Sequence, residues 1–570
     1  MRACIALAAV GLALGLAAIP SRVNACGGTF CDAGPIGMPV DQSGENILFV
    51  IDETTVEAHV QIQYQGDPEA FAWVVPVMAA PEIEAGSDAL FRNLLSATAP
   101  TFRTTTVFED CGSQRERGGG CASFTANSAL EADGGVGEDL GVGGSFDEDP
   151  QVVSRGTAGA FEYAVLEGGT IDGVLEWLDE NGYAQDDDAP GELQAYLDKR
   201  FLFVAFKLRG GVGVDEIHPV VIRYEGDEPC VPIRLTRIAA TDDMGVRAFF
   251  LGESRVAPTN YSSVELNLAA IDWQNLGSNY ESVVTRAVDA DGSDGHGFVT
   301  EYAGPSDVVL DDGILNPLWD AQRYREASPE AAVAELGLQQ LLSCTDGSCS
   351  AVHPLIEGVL SRFLPVPTGV SFEDYYGCLS CYEEDADRES WDAGAFADEL
   401  EARIIGPAEH AMDILNHNAY LTRLYTTLSP QEMTLDPIFH ENPDLQPVSN
   451  FYDATMVFAC EGSDYVEFDD GSRLAVAGSP DPAQPAALRV QEVPMQGPAM
   501  TVVDLSEQVI DTRRSWNAEQ GLGGDDEGCN CRARKHGASG LAWAAFMVGL
   551  GVWARRPSRP HVRRAKHRSS

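Results

Sequence analysis

Residues 161–268 hold the pattern that decides the fold, a helix-like segment, residues 170–182 TIDGVLEWLDENG, followed by four strand-like runs. The runs are residues 201–208 FLFVAFKL, 217–224 IHPVVIRY, 231–239 VPIRLTRIA and 246–251 VRAFFL. In the first segment the apolar side chains recur at i, i+3, i+4 and i+7, the spacing of one helical face: Ile171, Val174, Leu175 and Leu178. Thr170 can cap this helix at its start, and Asn181-Gly182 suits its left-handed exit. The pattern predicts a helix over Ile171–Asn181.

The strand-like runs differ in the surfaces that they predict. In 217–224, Val220, Ile222 and Tyr224 share one face of a strand, and 231–239 repeats this alternation. Residues 201–206 are apolar on both faces, which indicates a central strand covered by helices. We therefore expect an α+β fold with a mostly antiparallel β-sheet core and packed helices.

The segments upstream of this stretch predict further strands and one helix. Three runs indicate a β-meander: Ile47–Val50, Val56–Tyr64 and Phe71–Val77. The second run alternates strictly, so it should have one wet face and one dry face. Ser87 can cap a helix over Asp88–Ala97, and Phe102–Phe108 reads as another strand.

Composition along the chain predicts its division into segments. We expect a signal peptide 1–25, an α+β core 26–310, a helix-rich part 311–445, a strand-like region 446–478 that could rejoin the core, a linker 479–528 and a tail 529–570. The stretch 131–150 is rich in Gly, Asp and Glu without apolar periodicity, which is typical of a mobile surface insertion. In the helix-rich part, Phe396–Leu428 carries apolar stripes at helical spacing, among them Leu421, Leu424, Tyr425 and Leu428.

The charge balance is strongly acidic, with 88 acidic against 37 basic residues and a formal net charge of −51. Such a surface should repel nucleic acid and anionic lipid, so we expect no nucleic-acid partner. The excess acid is explained either by solubility in a salty habitat or by cation binding.

The first residues have the features of a secretory signal. Arg2 is followed by the uncharged apolar run Ala3–Ile19, and small residues allow cleavage after Ala25. Cleavage there would leave Cys26 as the first residue. Cys26 could then carry a lipid, or form a disulfide with Cys31.

The remaining cysteines are even in number once Cys4 leaves with the signal, which favours disulfides in an exported protein. The spacing suggests local pairs: Cys26/Cys31, Cys111/Cys121, Cys344/Cys349 and Cys378/Cys381. Cys230 and Cys460 would then form a long-range bridge or stay free.

Short segments of the N-terminal half carry a family resemblance: Ala25-Cys26-Gly27-Gly28, Pro39-Val40-Asp41-Gln42, Glu57–Gly66 and Phe71–Val77. They resemble a bacterial family catalogued as domain of unknown function 2330, and the likeness covers about residues 25–305. The resemblance implies an exported, envelope-associated protein of myxobacteria and their relatives. It implies no catalytic residues.

The C-terminal tail has three parts. Cys529 and Cys531 precede an uncharged segment, 537–553, and Arg555 and Arg556 follow it. A helix of this length spans about 26 Å, close to the hydrocarbon core of a bilayer, and the basic end should stay cytoplasmic. The arrangement resembles the myxobacterial C-terminal sorting signal, which implies export and sorting machinery as partners and processing near the cysteines. A plain single-pass membrane anchor is the alternative.

One acidic loop could hold a cation. Asp289, Asp291 and Asp294 stand at i, i+2 and i+5, with Gly292 between them and Gly295 after them, so their carboxylates could converge on calcium. The loop departs from the helix-loop-helix calcium template at its glycine position and at its last ligand. A solvated acidic turn is the alternative.

Other chemistry-bearing residues give weaker patterns. Cys344, Cys349, Cys378 and Cys381 could form a four-thiolate zinc site, but disulfides fit an oxidising compartment better. Cys378 and Cys381 also have redox spacing, in an acidic setting that would disfavour a thiolate. His410 and His417 could share a helical face and hold a metal.

The sequence carries no nucleophile elbow, phosphate loop or strand-anchored dinucleotide fingerprint. We therefore expect a noncatalytic binding or structural protein, exported and anchored at the membrane or cell surface. The alternatives are a surface hydrolase or thiol enzyme, with Cys378, Cys381, His410 and His417 as candidates, and a calcium-dependent adhesin.

Overall fold

The computed structural model of the protein describes residues 28–31, 42–52, 54–62, 71–110, 149–183, 189–210, 212, 216–226, 229–238, 240–382 and 390–522. By its internal contacts the chain divides into two units, Met1–Gly524 and Asp525–Ser570. All residues of the second unit lie outside the described ranges. Every helix and strand of the described residues therefore belongs to the first unit.

Strands supply the framework of this unit. They are β1 Gly28–Cys31, β2 Gln42–Ile51, β3 Thr55–Ile62, β4 Phe71–Val77, β5 Glu82–Ala85, β6 Thr101–Phe108, β7 Gln151–Ala158, β8 Phe161–Glu167, β9 Leu202–Leu208, β10 Val220–Glu225, β11 Ala240–Gly252, β12 Val256–Pro258, β13 Ser262–Leu266, β14 Gly297–Pro305, β15 Leu342–Thr345, β16 Ser348–Ala351, β17 Tyr420–Leu428, β18 Phe439–Glu441, β19 Phe451–Phe458, β20 Tyr465–Glu467, β21 Arg473–Ala475, β22 Ala487–Glu492 and β23 Met500–Asp504.

Helices cover the sheets and fill the segment between β14 and β17. They are α1 Asp88–Thr98, α2 Ile171–Glu180, α3 Ala189–Leu197, α4 Ile233–Thr236, α5 Tyr280–Val288, α6 Pro329–Leu338, α7 Ile356–Phe363, α8 Phe372–Gly377, α9 Ala393–Leu400, α10 Gly406–His417 and α11 Ser506–Gln520. A π-helical turn, Glu401–Ile405, joins α9 directly to α10.

Among the described residues the strands form two large sheets, one four-stranded sheet and two two-stranded sheets, β12-β18 and β15-β16. The ten-stranded sheet has the order β23-β22-β13-β14-β17-β11-β2-β3-β10-β5, and the five-stranded sheet has the order β1-β4-β9-β8-β7. The four-stranded sheet has the order β21-β20-β19-β6. Most neighbours are antiparallel; the parallel pairs are β2–β11, β13–β14 and β6–β19. The α+β architecture with antiparallel-rich sheets is confirmed.

The two large sheets pack face to face and helices cover their outer faces. Phe49 of β2 stacks on Phe250 of β11 within the same buried cluster as Trp73 of β4 and Phe206 of β9. On the other face of the five-stranded sheet, α2 and α3 bury Phe203. On the other face of the ten-stranded sheet, α1 and α10 cover residues of β2, β11 and β17. The helical segment α6–α9 has a buried cluster of its own.

Several expectations from the deciding stretch are confirmed. Helix α2 begins after Thr170, whose hydroxyl accepts a hydrogen bond from the Gly173 amide, and Gly182 has φ of +84° just beyond the helix end. Strand β9 lies in the middle of its sheet with buried side chains on both faces, as residues 201–206 predicted. Helix α1 begins after the predicted cap, Ser87.

Two predicted elements are wrong. Of the run 231–239, the described residues 231–238 form no strand: Pro232 lacks the N–H that a sheet needs, and Ile233–Thr236 winds into the single turn α4. The helical stripe within Phe396–Leu428 also fails beyond α10, because β17 is a strand buried on both faces. A doubly buried strand has no alternation, so its apolar residues can also fit helical spacing.

The chain's connections also differ from the expectation. Strand β4 leaves β2 and β3 for the other sheet, so the three do not form a meander. The segment 479–528 was expected to be a linker, but its described residues, 479–522, are structured. Strand β22 pairs with β13, β23 pairs with β22, and α11 follows. Region 446–478 does return to an earlier part of the chain, because β19 pairs with β6.

The predicted targeting segments cannot be compared with the structure. The signal peptide 1–25, residues 131–148 of the insertion, and the tail with segment 537–553 lie outside the described residues. Within the described ranges, every helix is too short or too polar to cross a bilayer.

Candidate metal centre

Three ionisable side chains meet where α10 covers the outer face of the ten-stranded sheet. Glu57 and His59 project from β3 on the face opposite to its core residues, because side chains alternate along a strand. His410 reaches them from α10. The ligand atoms of the three residues lie within 4.8 Å of one another, and no other such group of His, Cys, Asp or Glu occurs among the described residues.

The polar face of β3 is therefore covered, not wet. Glu57 is 8% exposed and His59 only 1% exposed. The alternation that predicted this strand is confirmed, but the assignment of its polar face to solvent is wrong. Helix α10 supplies the cover.

One carboxylate oxygen binds both imidazole rings. Glu57 Oε1 accepts hydrogen bonds from His59 Nε2 at 2.7 Å and from His410 Nε2 at 2.6 Å. The two rings are parallel, with centroids 5.6 Å apart and planes inclined by 5°. Two nitrogen donors and one oxygen donor are thus already oriented towards one point.

Arg223 holds the other carboxylate oxygen. It lies directly opposite Glu57 in the antiparallel β3–β10 pair. Its Nε and Nη2 donate to Glu57 Oε2 at 2.9 and 2.7 Å. Glu82 and Glu84, both exposed, lie 3.5 and 3.9 Å from its Nη1. Hydrogen bonds to both carboxylate oxygens therefore fix the position of the Glu57 side chain.

The electrostatics keep Glu57 ionised. Burial alone would raise the pKa of Glu57, but hydrogen bonds from His410 and His59 outweigh it and hold the pKa well below its usual range. Burial lowers the pKa of His59, which favours its neutral, metal-binding form. The hydrogen bond to Glu57 raises the pKa of His410.

A pocket of about 340 Å³ opens beside His410. Its walls come from β5, the end of β7, the π-helical turn and the start of α10: Ile83, Glu84, Ala85, Thr157, Ala158, Gly159, Glu401, Ala402, Gly406, Pro407 and His410. π-Helical turns are rare and occur often at functional sites. Of the three ligands only His410 lines the pocket, so small solutes approach the group from the His410 side.

The donor set suits a transition metal such as zinc, and the geometry of the three side chains sets how tightly the metal can bind. Two imidazoles and one carboxylate are a known zinc combination. Ligands around tetrahedral zinc lie about 3.3 Å apart, so the present 2.6–2.7 Å contacts must open by roughly 0.6 Å. A metal on Nε2 also places the ring proton of His59 on Nδ1, which is buried without a hydrogen-bond partner. A missing partner of this kind costs about 10–100-fold in affinity. We therefore expect reversible, not structural, metal binding.

The predicted calcium ligands lie elsewhere and do not form such a group. Asp289, Asp291 and Asp294 are exposed in the turn between α5 and β14. Asp289 shares a hydrogen bond with Glu432, and burial together with Glu432 and Asp243 raises the pKa of Asp289 to about 6. Calcium binding at this loop stays a prediction.

Six cysteines whose side chains the structure describes are disulfide-bonded. Cys344 bonds to Cys349 and Cys378 to Cys381, which confirms these two pairs and removes the four-thiolate zinc site. Cys230 and Cys460 are also disulfide-bonded. The side chains of four other pairing candidates lie outside the described residues: Cys26, Cys31, Cys111 and Cys121.

The predicted histidine pair separates. His410 enters the three-residue group, whereas the His417 side chain is 74% exposed and contacts Asp413. Sequence reasoning missed Glu57 and His59 as ligands. Their only signal is the Glu-x-His spacing on a strand, which places both side chains on one face. The processing residues Ala25, Cys529, Cys531, Arg555 and Arg556 lie outside the described residues.

Comparison with known proteins places the chain in a family. No curated protein and no solved structure matches it. A bacterial family profile matches residues 20–323, a range that includes Glu57, His59 and Arg223 and ends before His410. The chain belongs to this family, described as uncharacterized protein conserved in bacteria (DUF2330).

Proposed function

We propose that this chain is an exported protein of the cell envelope that binds a divalent transition metal reversibly through Glu57, His59 and His410. The observation that carries the proposal is the convergence of these three side chains beside an open pocket. The acidic surface adds to it, because a net charge of −51 raises the local concentration of cations.

The test is a titration of the purified full-length protein with zinc and with cobalt(II). We expect one bound equivalent with a dissociation constant of about 1–100 µM, since the His59 ring lacks an outer partner. Cobalt(II) bound by two nitrogens should add visible absorption bands. The titration is done in excess magnesium, which occupies the surface carboxylates but does not compete for imidazole, so that nonspecific zinc binding is suppressed.

His410→Ala and His417→Ala form a matched pair, because both residues lie on α10 and only His410 faces Glu57. His410→Ala should weaken zinc binding at least tenfold and remove the cobalt bands. His417→Ala should bind as the parent does. Equal binding by the parent and His410→Ala would contradict the proposal and leave a hydrogen-bonded charge cluster.

A second candidate function follows from the same donor set. Three protein ligands leave coordination positions open, as in catalytic zinc sites. Assays of the zinc-loaded protein against peptides, esters and phosphate esters test this hydrolase reading. Turnover that requires both zinc and His410 would favour it. The thiol-enzyme alternative requires a free thiol at Cys378 or Cys381, and these two cysteines are bonded to each other.

Export is supported by the signal-like start of the sequence and by disulfide-bonded cysteines in several elements. The noncatalytic envelope role and the membrane anchor are proposed from these features and from the tail. Intact mass of the protein from its native membranes tests export. We expect Met1–Ala25 to be absent and the thiols to be blocked. A chain retaining Met1 with reduced cysteines would contradict export.

A further inference from the structure

A second, smaller cavity lies between the start of α1 and the π-helical turn. It measures about 20 Å³, enough for one water molecule or one ion of similar size. Its walls are residues 86–89 and Arg92 around the α1 start, Ile314, residues 353–355, and Arg403, Ile404, Pro407 and Ala408. This cavity is distinct from the pocket beside His410, although Pro407 borders both.

The Arg403 side chain is fully buried against this cavity and only partly satisfied. Its Nη1 donates to Glu216 at 2.9 Å and lies 3.5 Å from Glu399. Its Nε and Nη2 have no hydrogen-bond partner. Buried guanidinium N–H groups are normally paired, because leaving one unpaired after removal from water is costly.

The buried ion cluster around Arg403 has more positive than negative groups among the described residues. Arg209, Arg362 and Arg403 share only two carboxylates, Glu216 and Glu399. Arg209 and Arg362 are half-buried, but Arg403 is fully buried, so the excess positive charge around it favours a bound anion.

Other groups that line the cavity favour negative charge as well. His353 Nδ1 accepts a hydrogen bond from the Leu355 amide, so its ring N–H is on Nε2. Burial, with smaller contributions from Arg92 and Arg403, lowers the pKa of His353 to about 4. The amino end of α1, eleven residues long, adds the positive end of its dipole. Asp88 is the opposing group; its Oδ1 accepts a hydrogen bond from Gln61, and burial raises its pKa.

We propose that this cavity is a binding site for one small monovalent anion of the size of chloride, held by the free N–H groups of Arg403. The anion would join α1 to the π-helical turn and so fix the turn that carries α10. The site shares no ligand with the candidate metal centre, and the proposal does not rest on metal binding there.

The first experiment compares thermal unfolding of the full-length protein in sodium chloride, sodium bromide and sodium gluconate at equal ionic strength. Gluconate is too large for the cavity. Chloride and bromide should each raise the midpoint above that in gluconate. A crystal grown with bromide should show an anomalous peak beside Arg403.

Variants separate a site effect from a general salt effect. Arg92→Gln, at the exposed edge of the cavity, should reduce the halide response, and Arg403→Met should abolish it. Arg325→Gln, which removes an exposed arginine paired with Asp398, should respond as the parent does. If Arg403→Met does not fold, two results still test the proposal. It requires a bromide peak beside Arg403 in the parent and a reduced halide response in Arg92→Gln. A water in place of bromide, or equal halide responses in all variants, would overturn the proposal.

Discussion

Glu45 on β2 connects burial to the pH dependence of stability. It is 3% exposed, and burial raises its pKa to about 8, against a hydrogen bond with Thr236 that lowers it. The unfolded value is near 4.5. A raised folded pKa means that the folded state binds the proton more tightly. Its stabilising contribution is therefore complete below about pH 4.5 and is lost as the pH rises through about 8.

Glu45→Gln replaces the protonated acid with a neutral amide of the same shape, so it should remove this pH dependence. Between pH 5 and pH 9 the parent should lose roughly 3–5 kcal/mol relative to the variant. Chemical denaturation at both pH values measures the difference. Glu180→Gln, on the exposed surface of α2, is the control and should track the parent. Parallel profiles for the parent and Glu45→Gln would show that Glu45 does not titrate in this range.

Arg423 and Glu301 form a buried ion pair between β17 and β14. Glu301 is 1% exposed and also accepts a hydrogen bond from the Tyr280 hydroxyl at 2.8 Å. Arg423→Ala leaves a buried carboxylate without its cation, which should cost about 3–5 kcal/mol of unfolding free energy. Arg103→Ala breaks a half-exposed pair with Asp453 and should change stability little. Similar losses in the two variants would contradict this account.

The candidate ligands show how far single residues can be predicted. His410 stood out in the sequence, but its expected partner, His417, faces solvent. Glu57 and His59 lie on the strand face that the alternating pattern predicted to be solvated. Their cover is α10, separated from Glu57 by 353 positions in the chain. No local pattern indicates a contact over that distance.

At the scale of elements, the caps are both predictable and testable. Thr170→Ala removes the oxygen that accepts the Gly173 amide at the start of α2, and should cost about 1 kcal/mol. Thr170→Ser keeps that oxygen and should cost much less. Denaturant unfolding of both variants measures the difference. Equal losses would indicate that packing of the Thr170 methyl group, not the cap, matters.

Helix α2 and strand β3 were predictable because one face of each repeats with a clear period. Strand β17 was not, since eight of its nine residues are buried and periodicity vanishes when both faces are apolar. Its β-branched Thr422, Thr426 and Thr427 were the available signal for a strand. The strand prediction for residues 231–239 was wrong for the opposite reason. Their alternation is regular, but Pro232 interrupts it.

The order of strands in the whole molecule required the structure. Strand β2 lies between β3, its neighbour in the chain, and β11, which follows nearly 200 residues later. Strand β17 enters between β11 and β14 from beyond the helical segment. Alternation identifies which residues face a core, but it carries no information on which strand lies alongside. The fold class was therefore predictable and the topology was not.

The net charge of −51 makes a prediction for the molecule as a whole. Repulsion among like charges opposes compaction, and its range falls from about 30 Å at 0.01 M salt to about 8 Å at 0.15 M. Raising sodium gluconate over this range should therefore raise the unfolding midpoint by several degrees. Gluconate avoids the small cavity beside Arg403, so the shift reports screening alone, and sucrose at equal osmolality controls for solute exclusion. An unchanged midpoint would mean that pairing within the fold already balances the acidic surface.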